Sequence, residues 1–355
     1  MIYLDYQATT PLAPEAFDAM VPWLRDAHAN PHSPHRPGRA ARAAVEVARD
    51  RIAALLPDGG RVAFTSGATE ALNWAIKGSS GAIVTIATEH AAVLDTVAAS
   101  GRPHVVLPVG ADGLVDLDAA RAAIGPDTGL VAAMLVNNEI GVIQPIAELA
   151  TMAHAVGARM LCDAVQGYGR VPLPDTVDMV AISAHKIHGP KGIGALWLRD
   201  GVAPAPLLHG GGQEAPGRSG TLSPALCAGF GVAAQLMAAD DPQPVEPLWR
   251  AAQERFAAAG WRLNGAASPR YHGNLNVRRD GLDVGRLMSD MRDVAFSAGS
   301  ACASGSGRPS HVLRAIGLSD AQARSSIRLG FGRYTSEAEL MRATDEILAA
   351  AEAQA

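Results

Sequence analysis

The sequence contains no apolar run approaching the roughly 18–20 residues that a membrane-spanning helix requires. Its first residues, Met1-Ile2-Tyr3-Leu4-Asp5, lack the basic start and apolar stretch of a signal peptide. Cysteine is scarce: Cys162, Cys227 and Cys302 are too few and too scattered for a disulfide framework or a zinc site. These absences lead us to expect a chain that works in the reducing cytoplasm. Charge is modest too. With 18% charged residues and a net charge of −5, nothing in the balance suggests nucleic acid or an anionic membrane as a partner. Lysine is the sharpest shortage. Of 30 basic residues, only Lys77, Lys186 and Lys191 are lysines, and arginine supplies positive charge everywhere else.

What is present is a large apolar fraction, 48% of 355 residues, enough for one large α/β unit or two to three domains. Short apolar runs alternate with stretches of helical period, the pattern of βαβ units and a parallel sheet. Strands are expected at 61–65, 82–87, 104–108, 130–136, 160–163, 179–183 and 195–198, with helices such as 69–76 and 146–156 between them. The alternation fades after about Ala233, and the Asp/Pro-rich stretch ADDPQPVEP reads as a boundary. Beyond it, helices at 248–259 and 337–353 mix with isolated strands at 274–277 and 327–330, as in a smaller α+β domain.

Polar residues gather where the expected strands end. FTSGATEALNWAIKG runs from a strand through Ser66-Gly67-Ala68 into a helix near Thr69. A helix start of this kind is either an ordinary capped end or an anion site built from free N–H groups and the dipole. No GxGxxG is present, so a dinucleotide fingerprint is not indicated. MLCDAVQGYG ends a strand on Asp163, with Gln166 close behind; LVNNEIG and IATEH do the same with Asn138 and His90. Asp163 alone reads equally as a turn cap, and one histidine after a strand is more often structural. Several such ends together differ, because open α/β sheets bind ligands outside the carboxyl ends of their strands.

The stretch SAHKIHGPKG places Lys186 at that same edge. Arginine is permanently charged, whereas a desolvated lysine becomes an amine nucleophile. A lysine kept here by an arginine-preferring chain therefore suggests amine chemistry, while Lys191 reads as a solvated turn residue. An amine, a carboxylate and a phosphate-binding helix start are what pyridoxal 5'-phosphate (PLP) requires: a Schiff base, a partner for the pyridine nitrogen, and N–H donors for the phosphate.

The motifs YLDYQATTP, NPHSPH, FTSGATEA, TEHAAVLDT, NNEIGVIQP, DAVQGYG, SAHKIHGPKG, HGGGQE, RSGT, GSACASGS and SSIRLGFGR resemble, in order, those of cysteine desulfurases. The resemblance is to the nitrogen-fixation and iron–sulfur-cluster assembly branch and runs from Tyr3 to Arg333. It implies PLP fold type I, with a mostly parallel sheet in a large domain at 13–235. A smaller α+β domain would combine 1–12 and 236–355 and carry the catalytic-cysteine segment. Position by position, it implies that Lys186 forms the Schiff base and that His90 stacks on the cofactor ring and assists proton transfer. Asp163 would pair with the pyridine nitrogen and Gln166 with the phenolic oxygen. Ala68, Thr69, Ser183 and His185 would hold the phosphate, together with Thr221 from the other subunit of a homodimer. Asn138 and Arg328 would bind the substrate carboxylate, for which the planar arginine fork is suited.

Cys302 lies among small residues in SAGSACASGSGRPS, where an exposed, reactive thiol is expected. Cys162, and with it Cys227, reads as a small buried hydrophobe. The resemblance thus implies an L-cysteine desulfurase that yields L-alanine, a Cys302 persulfide, and sulfur for an acceptor such as an iron–sulfur scaffold. A selenocysteine lyase or another class V PLP aminotransferase stands as the alternative, with a purely binding role behind it. The closely spaced pairs His32/His35 and His185/His188 lack the partners of a recognisable zinc motif. Longer family members carry a tail implicated in scaffold docking, and this chain ends soon after its final expected helix.

Overall fold

The computed structural model describes residues 1–214, 217–239, 245–299 and 309–354. Cys302 and the core of the boundary stretch, 240–244, lie outside the described residues. The strands are β1 (Ile2–Tyr3), β2 (Gly60–Thr65), β3 (Ala82–Ile86), β4 (His104–Leu107), β5 (Thr128–Met134), β6 (Arg159–Asp163), β7 (Met179–Ser183) and β8 (Gly194–Arg199). After these come β9 (Arg262–Leu263), β10 (Asn274–Arg278), β11 (Val294–Ala295), β12 (Ser297–Ala298) and β13 (Ser326–Gly330). The helices are α1 (Pro14–Arg25), α2 (Arg36–Ala53), α3 (Ala68–Lys77), α4 (Ala91–Ala99), α5 (Leu117–Ala123) and α6 (Ile146–Ala155). The second half adds α7 (Pro224–Ala239), α8 (Val245–Ala258), α9 (Val284–Asp290), α10 (His311–Ala315), α11 (Asp320–Arg324) and α12 (Glu337–Glu352).

The main sheet has the order β2-β8-β7-β6-β5-β3-β4. Five of its strands, β4, β3, β5, β6 and β7, run parallel. Helices α4, α5 and α6 lie in the crossovers from β3 to β4, β4 to β5 and β5 to β6, and an irregular segment joins β6 to β7. Strand β8 alone in this sheet runs antiparallel to both its neighbours. The β7–β8 connection explains the exception. It is a short segment, Ala184–Ile193, and a parallel return needs a crossover of a dozen or more residues. Because β2 is antiparallel to β8, its carboxyl end falls on the same edge as those of β3, β5, β6 and β7.

Both faces of this sheet are covered, which is why its strands read as continuous apolar runs and not as alternation. In β2, Val62 and Phe64 face one core with Ile52 of α2 and Phe230 of α7, while Ala63 faces another with Leu72 and Trp74 of α3. A separate core joins Ile2 and Leu4 to Trp249, Phe256, Leu275, Ile327, Leu329, Leu340 and Ile347. That core covers the antiparallel sheet β12-β13-β10-β9. The N-terminal residues are tied into it by the parallel pairing of β1 with β11. Among the described residues no helix is long and apolar enough to cross a membrane.

Candidate active site

A cavity of about 620 Å³ opens at the carboxyl edge of the main sheet. Ten residues singled out from the sequence line it: Ala68, Thr69, His90, Asn138, Asp163, Gln166, Ser183, His185, Lys186 and Arg328. The topology brings them together, because each ends or follows a strand that finishes at this edge or, for Arg328, sits on β13.

Lys186 occupies a single helical turn after β7, and its Nζ donates to the carbonyls of Gln7 at 2.6 Å and Ala8 at 2.8 Å. The segment Gln7–Thr10 laces this turn into place. Thr10 Oγ1 donates to the His185 carbonyl at 2.9 Å and accepts from the His188 amide at 2.7 Å, and His185 Nδ1 lies 3.1 Å from Thr9 Oγ1. Burial, followed by the charges of Lys186 and Lys191, pushes His185 down to about 4, so its ring is neutral at neutral pH. Lys191 is in an exposed turn, as expected, yet its side chain reaches the cavity rim.

Asp163 ends β6 and is buried. Its Oδ1 accepts from the Val165 amide at 3.0 Å, so it caps a turn and lines the cavity at once. Burial raises its proton affinity, while the Val165 amide, His90 and Lys186 pull it back. His90 begins α4, and its Nδ1 accepts from the Ala92 amide at 3.1 Å. A neutral ring so held carries its proton on Nε2. Burial lowers its pKa first of all, against the attraction of Asp163.

Helix α3 starts at Ala68 with no side-chain hydrogen bond capping it. Its first amides, as at any helix start, lack intrahelical acceptors, and Ser66, Gly67, Ala68 and Thr69 line the cavity. A Cβ on Gly67 would meet nothing within 4 Å, whereas one on Gly194 would strike Gly67 backbone at 2.7 Å. Glycine at 194 thus lets β8 press against the turn that forms this cradle. Gln166 Nε2 donates to the Gln7 carbonyl at 3.0 Å, and its buried Oε1 has no hydrogen-bond partner among the described residues. Arg328 is fully buried, with Nη1 on the Asn138 carbonyl at 3.0 Å and Nη2 on Asp5 Oδ1 at 2.7 Å. Its Nε likewise lacks a partner among the described residues. An amine, a buried carboxylate, an open helix start and unassigned polar atoms around one cavity fit PLP and an amino-acid substrate.

Thr221 is exposed and is not among the residues that line this cavity. It follows the 209–220 loop, which two ion pairs fasten: Arg49 with Glu214 at 2.8 Å and Arg218 with Glu70 at 2.8 Å. Cys162 and Cys227 are buried, and burial pushes the first thiol well up and the second to about 12, so both are inert.

Sequence reasoning missed Gln7, Ala8 and Thr9 as cavity walls, although QATT is a polar cluster just after a short apolar start. It placed Glu89 with Thr88 and His90 at the end of a strand but gave it no role, and Glu89 is fully buried beside His90. Glu89 Oε1 accepts from the Met134 amide at 2.6 Å, Oε2 has no partner among the described residues, and burial raises its pKa well above 4.5.

A family model, aminotransferase class-V, matches residues 2–342. The cysteine desulfurase IscS of Rickettsia akari is 42% identical over 365 residues, covering 96% of this chain and 88% of that protein. A probable mitochondrial cysteine desulfurase of Schizosaccharomyces pombe is 41% identical, covering 98% of this chain and 73% of its own length. Among solved structures, a NifS-like protein from Rickettsia africae superposes with a TM-score of 0.91 at 28% identity, covering 99% of both chains. SspA, solved in complex with cysteine, gives a TM-score of 0.84 at 34% identity over 95% of this chain and 100% of that one. With cavity, sheet order and relatives in agreement, this chain belongs to the cysteine desulfurases of the class-V aminotransferase family.

Proposed function

We infer that this chain is a PLP-dependent L-cysteine desulfurase, converting L-cysteine to L-alanine and passing the sulfur to an acceptor. The observation that carries the reading is the placement of Lys186 at the sheet edge, with Asp163, Gln166, His90 and the uncapped start of α3 around one cavity. PLP bound there supplies an electron sink that weakens the substrate Cα–H bond. Ala68, Thr69, Ser183 and His185 would hold its phosphate, Asp163 its pyridine nitrogen and Gln166 its phenolic oxygen. Lys186 would form the Schiff base with PLP, and its Nζ, which the Gln7 and Ala8 carbonyls hold at the cavity, would take the Cα proton of the substrate. His90 carries a proton on Nε2, ready to donate at the substrate. Asn138 and Arg328 grip the substrate carboxylate. Cys302, as thiolate, forms a bond to the substrate sulfur as the Cβ–S bond breaks, and a persulfide results.

The reading extends to a cytoplasmic homodimer in which Thr221 serves the neighbouring site, and to an iron–sulfur scaffold as sulfur acceptor. The exposure of Thr221 supports the first, and the IscS relatives support the second. The test is alanine release from L-cysteine by the PLP-loaded protein. Lys186→Arg should bring it to background, since arginine forms no Schiff base. Normal turnover in that variant would transfer the role to Lys191. Cys302→Ala should still bind PLP and still bind cysteine, but form no persulfide by mass spectrometry.

A further inference from the structure

Arg328 is already engaged before any substrate arrives. It stands on β13, paired in register with Ser297 of β12, and its side chain is fully buried. Asp5, just beyond β1 and bridged to Gly330, sends Oδ1 to within 2.7 Å of Arg328 Nη2. Ser297 Oγ donates to the same Oδ1 at 2.8 Å and lies 3.2 Å from Nη2. With Nη1 on the Asn138 carbonyl, Nε is the guanidinium nitrogen left without a partner among the described residues.

We infer that Asp5 is a resident counter-ion of Arg328 that sets how tightly the site holds an amino-acid carboxylate. The inference rests on the reading of Arg328 as the carboxylate-binding arginine of the desulfurase proposed above. A buried guanidinium without a carboxylate is costly, so Asp5 keeps the free protein's charge balanced. A substrate carboxylate then meets an arginine whose charge is already spent, and shares it with a second anion a few ångströms away. At an effective dielectric near 20, repulsion over such a distance lowers affinity by ~10-fold or more. The product, L-alanine, bears the same carboxylate and leaves the more readily for it. Asp5 is thus a positioning and affinity-setting residue and does not itself touch the substrate.

A role confined to orienting Arg328 predicts unchanged or weaker carboxylate binding when the charge of Asp5 is removed, which makes the test sharp. Asp5→Asn keeps an oxygen for Nη2 and Ser297 Oγ but removes the charge. Calorimetric titration of the PLP-loaded protein with L-alanine should show Kd falling by ~10-fold in the variant, with KM for L-cysteine falling in parallel. Unchanged or weaker L-alanine binding overturns the inference. The unaltered protein gives a second measurement that survives a folding failure of the variant. Ethylamine, which is L-alanine without its carboxylate, should bind less than ~10-fold more weakly than L-alanine, because an arginine already paired gives up little. A larger preference for L-alanine shows Arg328 unopposed and also overturns it. Alanine release from L-cysteine by the unaltered protein separately tests the desulfurase reading, which can fail while the Asp5 effect on L-alanine stands.

Discussion

Two carboxyl groups at the sheet edge illustrate how environment assigns roles to residues of similar chemistry. Glu89 is fully buried, with one oxygen on the Met134 amide and no cation among the influences on its proton affinity, so it holds its proton well above 4.5. Asp163 lies beside it, and burial raises its pKa too, but the Val165 amide, His90 and Lys186 oppose that rise and favour the charged form. Glu89→Gln keeps the neutral form that burial favours, and turnover should stay within ~3-fold. Asp163→Asn removes the charge proposed to face the pyridine nitrogen, and turnover should fall by ~100-fold or more. Equal losses in the two variants would refute the division. The same contrast has a pH signature. An acid protonated when folded but ionised when unfolded binds more protons in the native state, so stability falls as pH rises above about 4.5, at up to ~1.4 kcal/mol per pH unit. Thermal melts should show Glu89→Gln gaining on the wild type as pH rises from 5 toward 8. Of these groups, Asp163, His90 and Lys186 were legible in the sequence because each ends an apolar strand. Glu89 ends the same strand as His90, but sequence does not give burial, and burial is what sets its protonation.

At the scale of elements, the strands of the main sheet fell within a residue or two of their expected bounds, since buried parallel strands are short apolar runs with sharp ends. Two features escaped that reasoning. The reversed direction of β8 follows from a connection too short for a crossover, which composition does not express. Helix α7 is apolar all round and so shows no period. It is pressed between neighbours: a Cβ on Gly229 would meet Met20 of α1 at 2.7 Å, and one on Gly231 would meet Ala48 of α2 at 2.6 Å. The 209–220 loop before α7 depends on an ion pair of the same neighbourhood. Glu214, with a side chain 2% exposed, accepts from both Nη atoms of Arg49 and from the Phe64 amide. Arg49→Leu strands a buried carboxylate and should cost about 3 kcal/mol, read as a lower denaturant midpoint. Arg49→Lys should recover part of that loss, though not the two-pronged geometry. A midpoint unmoved by Arg49→Leu would mean that Glu214 is satisfied by the Phe64 amide alone.

At the scale of the whole molecule, the question is whether one chain makes a complete site. Every residue assigned to the cofactor within the described structure lines the cavity except Thr221, which stands exposed beyond the anchored loop. In a closed two-fold dimer every contact made by one copy on the other is repeated in reverse, so each subunit's Thr221 would complete the other's site. Mixing defective subunits tests this directly. A Lys186→Arg dimer should be inactive, and a Thr221→Val dimer should turn over slowly with weakened PLP retention. In a mixed dimer, the site that keeps Lys186 belongs to the Thr221→Val chain but receives Thr221 from its partner, so it is whole. The other site carries both defects. Co-expressed and purified by two different tags, the mixed dimer should therefore show about half the wild-type turnover, with wild-type PLP affinity at one site of two. Were Thr221 to act within its own chain, neither site would be whole, and the mixture would never exceed half the Thr221→Val rate. A monomer by light scattering at working concentration would dismiss the arrangement before any kinetics were measured.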